Sequence, residues 1–213
     1  MTYRVKSCFR TLQGEGARAG RVIVLCRLTG CNLWSGRQED RAEAACRFCD
    51  TDFVGTDGPG GGRFDAPSLA EHLRATWEAG VSGDPAAPFV VFTGGEPLLQ
   101  LDPQLVDACH RLGLEVGVET NGTLPCPSGV DWVCVSPKAG AALMQRYGDE
   151  LKLVFPQPGL DPRTFESLDF GVFSLQPLDD DNREANTRQC IAYCLAHPRW
   201  RLSVQMHKWV GVP

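Results

Sequence analysis

Seven short runs of aliphatic, aromatic and β-branched residues recur along the chain, most of them followed by a segment long enough to cross back over a sheet. Such runs suit buried strands, and parallel strands require long connections. Because the units are too few for eight repeats, the pattern predicts an α/β fold built as an incomplete parallel (β/α) barrel, with a doubly wound open sheet as the alternative. The runs are Val22–Leu28, Phe89–Thr93, Glu115–Glu119, Trp132–Ser136, Leu151–Phe155, Val172–Gln176 and Leu202–Gln205.

Capping signals predict three helices between these runs. The first follows Ser68, whose hydroxyl forms a capping-box match with the Glu71 carboxylate. The second follows Asp102 and Pro103, which match an N-cap and first-turn pair, and the third covers about 184–196. With 213 residues, the chain suits a single domain, 1–213.

Composition limits the classes of function. The sequence has neither an apolar run of about 18 residues nor an apolar N-terminal signal, so we expect a cytoplasmic protein without a membrane span. In that reducing compartment the ten cysteines are expected to be thiols or metal ligands. A net charge of −5 and a pI near 5.4 argue against a nucleic-acid partner and favour a small-molecule substrate.

Polar and reactive residues follow the predicted strands directly. The carboxyl ends of parallel strands share one edge of a sheet, and α/β proteins bind their ligands there. One site is therefore expected to collect Cys31, Thr93–Pro97 (TGGEP), Glu119–Gly122 (ETNG), Ser136–Lys138 (SPK), Leu175–Pro177 (LQP) and His207.

Three cysteines, Cys31, Cys46 and Cys49, share the loop 31–49 in the spacing C-x14-C-x2-C. A structural zinc site normally takes four protein ligands, whereas three thiolates on a cubane iron–sulfur cluster leave one iron open. The trio therefore favours a cluster, and a zinc site completed by Cys26, Cys8 or a distant histidine is the alternative. The other cysteines are expected to pack in the interior, namely Cys8, Cys26, Cys109, Cys126, Cys134, Cys190 and Cys194.

The order of these motifs carries a family resemblance. A cysteine loop after the first strand and TGGEP after the second resemble the radical S-adenosylmethionine superfamily. The usual loop there is C-x3-C-x2-C, whereas Ser35 stands in this chain where the second cysteine would be, so the loop is enlarged. More narrowly, the chain resembles the 7-carboxy-7-deazaguanine synthase family of queuosine biosynthesis, in which a variant loop of this kind is known. The motifs are FRTLQGEG, CRLTGCNLW, CDTDF, TGGEPLLQ, ETNGT, SPK and LQP.

The resemblance implies a barrel of the radical S-adenosylmethionine type in which Cys31, Cys46 and Cys49 hold a [4Fe–4S] cluster. Cleavage of S-adenosylmethionine at the open iron would give a 5′-deoxyadenosyl radical that takes hydrogen from 6-carboxy-5,6,7,8-tetrahydropterin. The ring of this substrate would contract, with loss of ammonia, to 7-carboxy-7-deazaguanine. A flavodoxin or ferredoxin electron donor and a homodimer are also expected.

The resemblance also implies which residues contact S-adenosylmethionine. Glycines let the backbone approach a ligand closely, and hydroxyl, ammonium and amide groups suit the carboxylate, ribose and adenine of this cofactor. The implied residues are Gly94, Gly95, Glu96, Glu119, Ser136, Lys138, Gln176 and Phe48.

The pterin acid needs a cation for its carboxylate, and Arg27 is the expected one because a guanidinium can hold a carboxylate through two parallel hydrogen bonds. A structural ion pair is the alternative role of Arg27. Gln13, with the backbone of Leu12 and Gly14, is expected to bind the ring edge. Further expected contacts are Glu15, Thr93, His207 and the terminal carboxylate of Pro213.

Two oxygen-bearing residues follow the third cysteine. The resemblance implies a Mg²⁺ site here, and because magnesium prefers oxygen ligands, Thr51 is the expected ligand beside the substrate carboxylate and Asp50 is a second candidate. Two other functions stay open from the sequence: an activase of the glycyl-radical type that acts on a polypeptide, and a zinc-stabilised binding module.

Overall fold

The computed structural model describes residues 1–79 and 87–212. Within them, a single nine-stranded sheet has the strand order β3-β1-β2-β4-β5-β6-β7-β8-β9. The strands are β1 (Tyr3–Leu12), β2 (Val22–Leu28), β3 (Gly62–Phe64), β4 (Phe89–Gly94), β5 (Glu115–Thr120), β6 (Trp132–Val135), β7 (Tyr147–Phe155), β8 (Asp169–Pro177) and β9 (Trp200–Leu202).

The strand order decides between the two predicted architectures. The neighbouring pairs from β2 to β9 are all parallel, and β4 to β9 lie in the sheet in the same order as in the sequence. β1 pairs antiparallel with both β2 and β3. A doubly wound sheet reverses its strand order at a switch point, and this sheet does not. The mixed α/β fold is therefore consistent with an incomplete (β/α) barrel, as predicted.

The helices are α1 (Ala66–Glu78), α2 (Pro103–Arg111), α3 (Arg183–Ala196) and a short α4 (Met206–Val210). The predicted start of α2 is confirmed, because the Asp102 carboxylate accepts a hydrogen bond from the Leu105 amide at 2.9 Å. The predicted start of α1 was wrong. Asp65 is its N-cap and accepts from the Ser68 amide, so Ser68 lies inside the first turn.

Two large apolar clusters fill most of the interior, beside two smaller ones. Leu69 and Leu73 of α1 and Leu105 of α2 are fully buried in the first, and α3 contributes Cys190 to the second beside Phe173. The predicted packing role fits the seven cysteines outside the loop 31–49, because five are buried and two, Cys126 and Cys194, are half-buried against these clusters. In residues 1–79 and 87–212, no helix is long and apolar enough to cross a membrane.

Two strands were missed and a third was displaced. In β1 the buried Tyr3 and Val5 flank the exposed Arg4, an alternation that is typical of a strand with one buried face. The three-residue β3 offers no comparable signal. The last strand, β9, covers Trp200–Leu202, so its prediction over Leu202–Gln205 overlaps it by one residue.

Candidate active site

A cavity of about 380 Å³ lies at the carboxyl edge of the parallel strands, within the range of small-molecule sites. Its wall is formed by residues that follow β2, β4, β5, β6 and β8, as the strand pattern predicted. The predicted cofactor residues on this wall are Cys31, Cys46, Phe48, Cys49, Gly94, Gly95, Glu119, Ser136, Lys138 and Gln176. The predicted substrate and metal residues on it are Leu12, Gln13, Gly14, Glu15, Arg27, Asp50, Thr51, Thr93 and His207.

The three loop cysteines line one part of this wall. A hydrogen bond from Cys46 outweighs burial and lowers the pKa of Cys49 to about 6, so a thiolate forms readily at this pair. Burial raises the pKa of Cys31. No group of three or more His, Cys, Asp or Glu side chains in the described ranges could hold a single metal ion. In a cubane cluster each thiolate binds a different iron, so the donor set of three thiols fits that group.

Gly94 and Gly95 allow the end of β4 to touch the chain that leads to Cys31. A Cβ at Gly94 would lie 2.0 Å from the Leu28 carbonyl oxygen, and its φ of +131° also favours glycine. A Cβ at Gly95 would lie 2.1 Å from the Gly30 carbonyl oxygen and 2.8 Å from the Cβ of Cys31. The glycine pair therefore brings the cysteine loop and the β4 edge together.

Glu96 is not among the residues that line the cavity, so its predicted contact with the cofactor stays a prediction. Its side chain is fully buried, and burial raises the pKa of the carboxyl group. The carboxylate accepts hydrogen bonds from Thr120 Oγ1 at 2.7 Å, the Asn121 amide at 2.8 Å and the Leu98 amide at 2.9 Å. These bonds tie the end of β4 to the end of β5.

Lys138 and Gln176 carry polar groups toward the cavity. Lys138 Nζ donates to the Ser136 carbonyl at 2.6 Å and to Ser136 Oγ at 2.8 Å, and burial lowers the pKa of this ammonium. Gln176 is 7% exposed, and its Oε1 has no hydrogen-bond partner among the described residues. A buried amide oxygen without a donor is costly, so this atom suits a ligand that donates.

Arg27 is a half-buried cation on the cavity wall. Its guanidinium lies 5.5 Å from the centre of the Phe9 ring, and no carboxylate in the described part of the chain forms an ion pair with it. Its strand neighbour in β4 is Thr93, which lines the same wall. The alternative role of Arg27 in a structural ion pair is therefore not supported.

A charge cluster on the cavity wall, centred on the buried Lys152, was not predicted. Lys152 Nζ lies 2.6 Å from Glu15 Oε2 and 3.3 Å from Glu119 Oε1, and Gln13 Nε2 donates to the same Glu119 oxygen at 3.1 Å. Burial alone would raise the pKa of Glu15, but Lys152 and Gln205 lower it to about 2. A lysine inside the apolar run LKLVF was the sequence signal for this cluster.

Substitution of Lys152 with methionine is expected to destabilise the fold by about 3–5 kcal/mol, because two buried carboxylates would lose their cation. In the native protein the low pKa of Glu15 stabilises the fold above its ordinary value of 4.5, and this stability is lost as the pH falls toward 2. Without Lys152, burial raises that pKa, so the difference in unfolding free energy between the variant and the native protein should become smaller as the pH is lowered toward 5. Urea unfolding at several pH values measures both effects.

Lys6 provides the matched control for this prediction. It also pairs with two carboxylates, Asp52 at 2.9 Å and Asp57 at 2.9 Å, but both acids are exposed. Lys6→Met should change the unfolding free energy much less. Equal losses of unfolding free energy in Lys152→Met and Lys6→Met would contradict the conclusion that the ion pairs of Lys152 matter because they are buried.

The C-terminal helix α4 closes one side of the cavity. The Met206 amide donates to the Gly14 carbonyl at 2.8 Å, and a Cβ at Gly14 would lie 2.1 Å from His207 Nδ1. Gln205 Nε2 donates to Glu15 Oε1 at 2.9 Å. The C-terminal residues thus hold in place the segment 12–15, which was predicted to bind the substrate, although the two are far apart in the sequence. Gln205 was not among the predicted site residues.

Asp50 is held by the same C-terminal segment. Lys208 Nζ lies 2.8 Å from Asp50 Oδ2 and also contacts Asp179, and neither Lys208 nor Asp179 was predicted. Thr51 lines the cavity beside Asp50, and its side chain forms no hydrogen bond with residues 1–79 or 87–212 that would compete for a ligand. Thr51 is therefore the better placed of the two proposed magnesium ligands. Pro213 lies outside the described residues.

The chain is similar to known proteins over its whole length, although no family model matches it. The chain is 58% identical to the 7-carboxy-7-deazaguanine synthase of Caulobacter vibrioides over 213 residues and 59% identical to that of Bradyrhizobium diazoefficiens, and each comparison covers 100% of both proteins. The chain belongs to the 7-carboxy-7-deazaguanine synthase family. This membership confirms the resemblance and counts against the zinc-module and activase alternatives.

A solved structure supports the fold of this 7-carboxy-7-deazaguanine synthase family member. The structure of QueE from Escherichia coli matches with a TM-score of 0.68 at 28% identity and covers 97% of this chain and 95% of that one. The α/β fold with its parallel sheet is therefore shared with a solved structure over nearly the whole chain.

Proposed function

We propose that the protein converts 6-carboxy-5,6,7,8-tetrahydropterin to 7-carboxy-7-deazaguanine, with release of ammonia, in queuosine biosynthesis. One observation carries the proposal: three cluster-type thiols and the Arg27 guanidinium, which pairs with no carboxylate of the described residues, line one cavity in a chain 58–59% identical to synthases of this name. A radical source and an anion-binding cation in the same cavity suit a reaction on a small carboxylic acid.

Cys31, Cys46 and Cys49 are proposed to hold a [4Fe–4S] cluster. When bound, the cluster and S-adenosylmethionine would supply the radical that starts the reaction. Around them, the chain would bind and orient the cofactor through the Gly94–Gly95 backbone, the Ser136 hydroxyl and the Gln176 amide. Lys138 would add positive charge beside the thiolates.

The substrate is proposed to bind between Arg27 and the charge cluster around Lys152. Arg27 would hold the substrate carboxylate, and the Leu12–Gly14 segment would bind the ring edge. Lys152, Glu15 and Glu119 carry one negative charge in excess, which favours a ring edge that presents N–H donors. His207 packs on Gly14 and would limit the width of the site.

Magnesium is proposed to bind at Thr51 beside the substrate carboxylate. Removal of Mg²⁺ with a chelator should therefore raise the KM for the pterin acid, since a cation next to its carboxylate would be lost. Thr51→Val should have a similar effect and make the enzyme insensitive to added Mg²⁺, whereas Thr56→Val in the neighbouring loop should behave as the native protein. Turnover unaffected by Mg²⁺ removal would contradict the assignment.

Four further features are proposed for the whole protein. A single low-potential electron is needed for each cleavage, so a flavodoxin or ferredoxin is the proposed donor. Ten free thiols suit the reducing cytoplasm, and residues 1–213 are proposed to act as one domain. A homodimer is also proposed, because β9 is an edge strand with an exposed Leu202, and Leu195 is exposed on α3, which packs against β9.

The substrate assignment is tested by anaerobic turnover of the reconstituted protein with reductant, Mg²⁺, S-adenosylmethionine and the pterin acid. We expect ammonia and the deazapurine acid to form in equal amounts. Formation of 5′-deoxyadenosine without either product would retain the radical chemistry and contradict the substrate.

A further inference from the structure

The enlarged segment between the first two loop cysteines has a defined structure. It contains a 3₁₀ helix, Gln38–Glu43, and an aromatic contact in which the Trp34 ring meets the Phe53 ring edge-on at 5.6 Å. Trp34 and Phe53 are buried, and Cys31 and Cys49 pack against them. The segment therefore forms a small apolar cluster of its own beside the thiols.

Arg41, on the 3₁₀ helix, connects this segment to the C-x2-C turn. Its Nη1 donates to the Arg47 carbonyl at 2.8 Å and to the Cys49 carbonyl at 3.0 Å. The guanidinium also stacks on the Trp34 ring at 4.0 Å, and Nε donates to Gln38 Oε1 at 2.8 Å. One side chain thus holds two carbonyls of the turn that contains Cys46 and Cys49.

We propose that Arg41 is a positioning residue that fixes the Cys46–Cys49 turn for cluster binding, and that supplying it is a function of the enlarged segment. This inference rests on the proposed function, because it requires a cluster on these thiols. In the shorter C-x3-C-x2-C loop the first two cysteines are close in sequence, whereas here 14 residues separate them. In the usual loop the short spacing limits where the cysteines can lie. In this longer loop the Arg41 guanidinium limits the position of the Cys46–Cys49 turn through its hydrogen bonds.

The chemistry of arginine is needed for this role. A planar guanidinium can donate to two carbonyls while it stacks on an aromatic ring, and a lysine ammonium cannot do both. Within the described chain Arg41 forms no ion pair with a carboxylate, so its charge is not neutralised there. That charge lies beside a cluster that becomes more negative on reduction, so it should favour the reduced state.

The test compares Arg41→Ala, Arg41→Lys and Arg37→Ala with the native protein after anaerobic reconstitution with iron and sulfide. Arg37 is the matched control, because it lies at the start of the same 3₁₀ helix and, within the described part of the chain, its side chain pairs only with the exposed Glu39. The readouts are the rate of iron loss to a chelator, the EPR spectrum of the reduced cluster with and without S-adenosylmethionine, and the reduction potential.

We expect Arg41→Ala to hold the cluster about 10- to 100-fold more weakly, with a lower reduction potential and a changed EPR spectrum. Arg41→Lys should recover part of the reduction potential but should still lose iron faster than the native protein. Arg37→Ala should match the native protein. Native behaviour of Arg41→Ala in all three readouts would overturn the inference. If Arg41→Ala does not fold, iron loss from Arg41→Lys no faster than from Arg37→Ala would overturn it.

These outcomes separate the inference from the proposed function. A native protein that assembles no cluster would overturn both. A native protein with a stable cluster, together with an equally stable cluster in Arg41→Ala, would overturn the role of Arg41 alone.

Discussion

Replacement of Arg27 by glutamine is expected to raise the KM for the pterin acid by about 10- to 100-fold, the loss expected for a charge-assisted pair of hydrogen bonds. The reason is that this guanidinium lines the cavity without a carboxylate partner in the described chain. Arg27→Lys should recover only part of the loss, because an ammonium does not match both carboxylate oxygens. Steady-state kinetics at varied substrate concentration measure the effect.

Arg10 offers a matched control for this substitution. Its guanidinium also lies over an aromatic ring, 5.6 Å from the centre of Trp77, but it is outside the main cavity. Arg10→Gln should leave the KM unchanged. A pterin without the carboxylate should bind the native enzyme and Arg27→Gln equally, and a remaining difference between them would contradict a carboxylate contact.

Replacement of Gly95 by alanine is expected to lower the iron content and the turnover rate by at least about 10-fold. The added Cβ would lie 2.1 Å from the Gly30 carbonyl oxygen and 2.8 Å from the Cβ of Cys31, so the backbone that presents this thiol must move. The Glu96 amide also donates to the same Gly30 carbonyl at 2.9 Å, which ties the two segments together. Iron and sulfide analysis after reconstitution measures the loss.

Gly171 provides the control for Gly95. A Cβ at Gly171 would lie 3.3 Å from its nearest neighbour, the Asp149 carbonyl oxygen, and the residue is exposed on β8, away from the cavity wall. Gly171→Ala should therefore bind iron normally. Full iron content in Gly95→Ala would show that close approach at this position is not required for cluster binding.

Much of the site was predictable because parallel strands bring their carboxyl ends together. Once Val22–Leu28 and Phe89–Thr93 were identified as strands, Cys31 and Gly94 had to lie at the same edge, and they do. The position of Glu96 was not predictable in the same way. The residues just before it line the cavity, but its carboxylate turns inward and accepts from the Leu98 amide, which follows β4, and from the Asn121 amide, which follows β5.

The site contacts that were not predicted join residues far apart in the chain. Lys152 meets Glu15 across 137 positions, and Lys208 meets Asp50 across 158. No periodicity or spacing encodes such pairs, because each partner alone looks like an ordinary charged residue. A lysine in an apolar strand indicates only that some buried anion must be near it.

The most direct test of the account is the mass of the product formed anaerobically from the pterin acid by the native protein, Cys46→Ala and Cys194→Ala. Cys194 is half-buried on α3, away from the cavity. We predict the deazapurine acid from the native protein and from Cys194→Ala, and none from Cys46→Ala. Product formation by Cys46→Ala, or its absence from native protein with an intact cluster, would contradict the account.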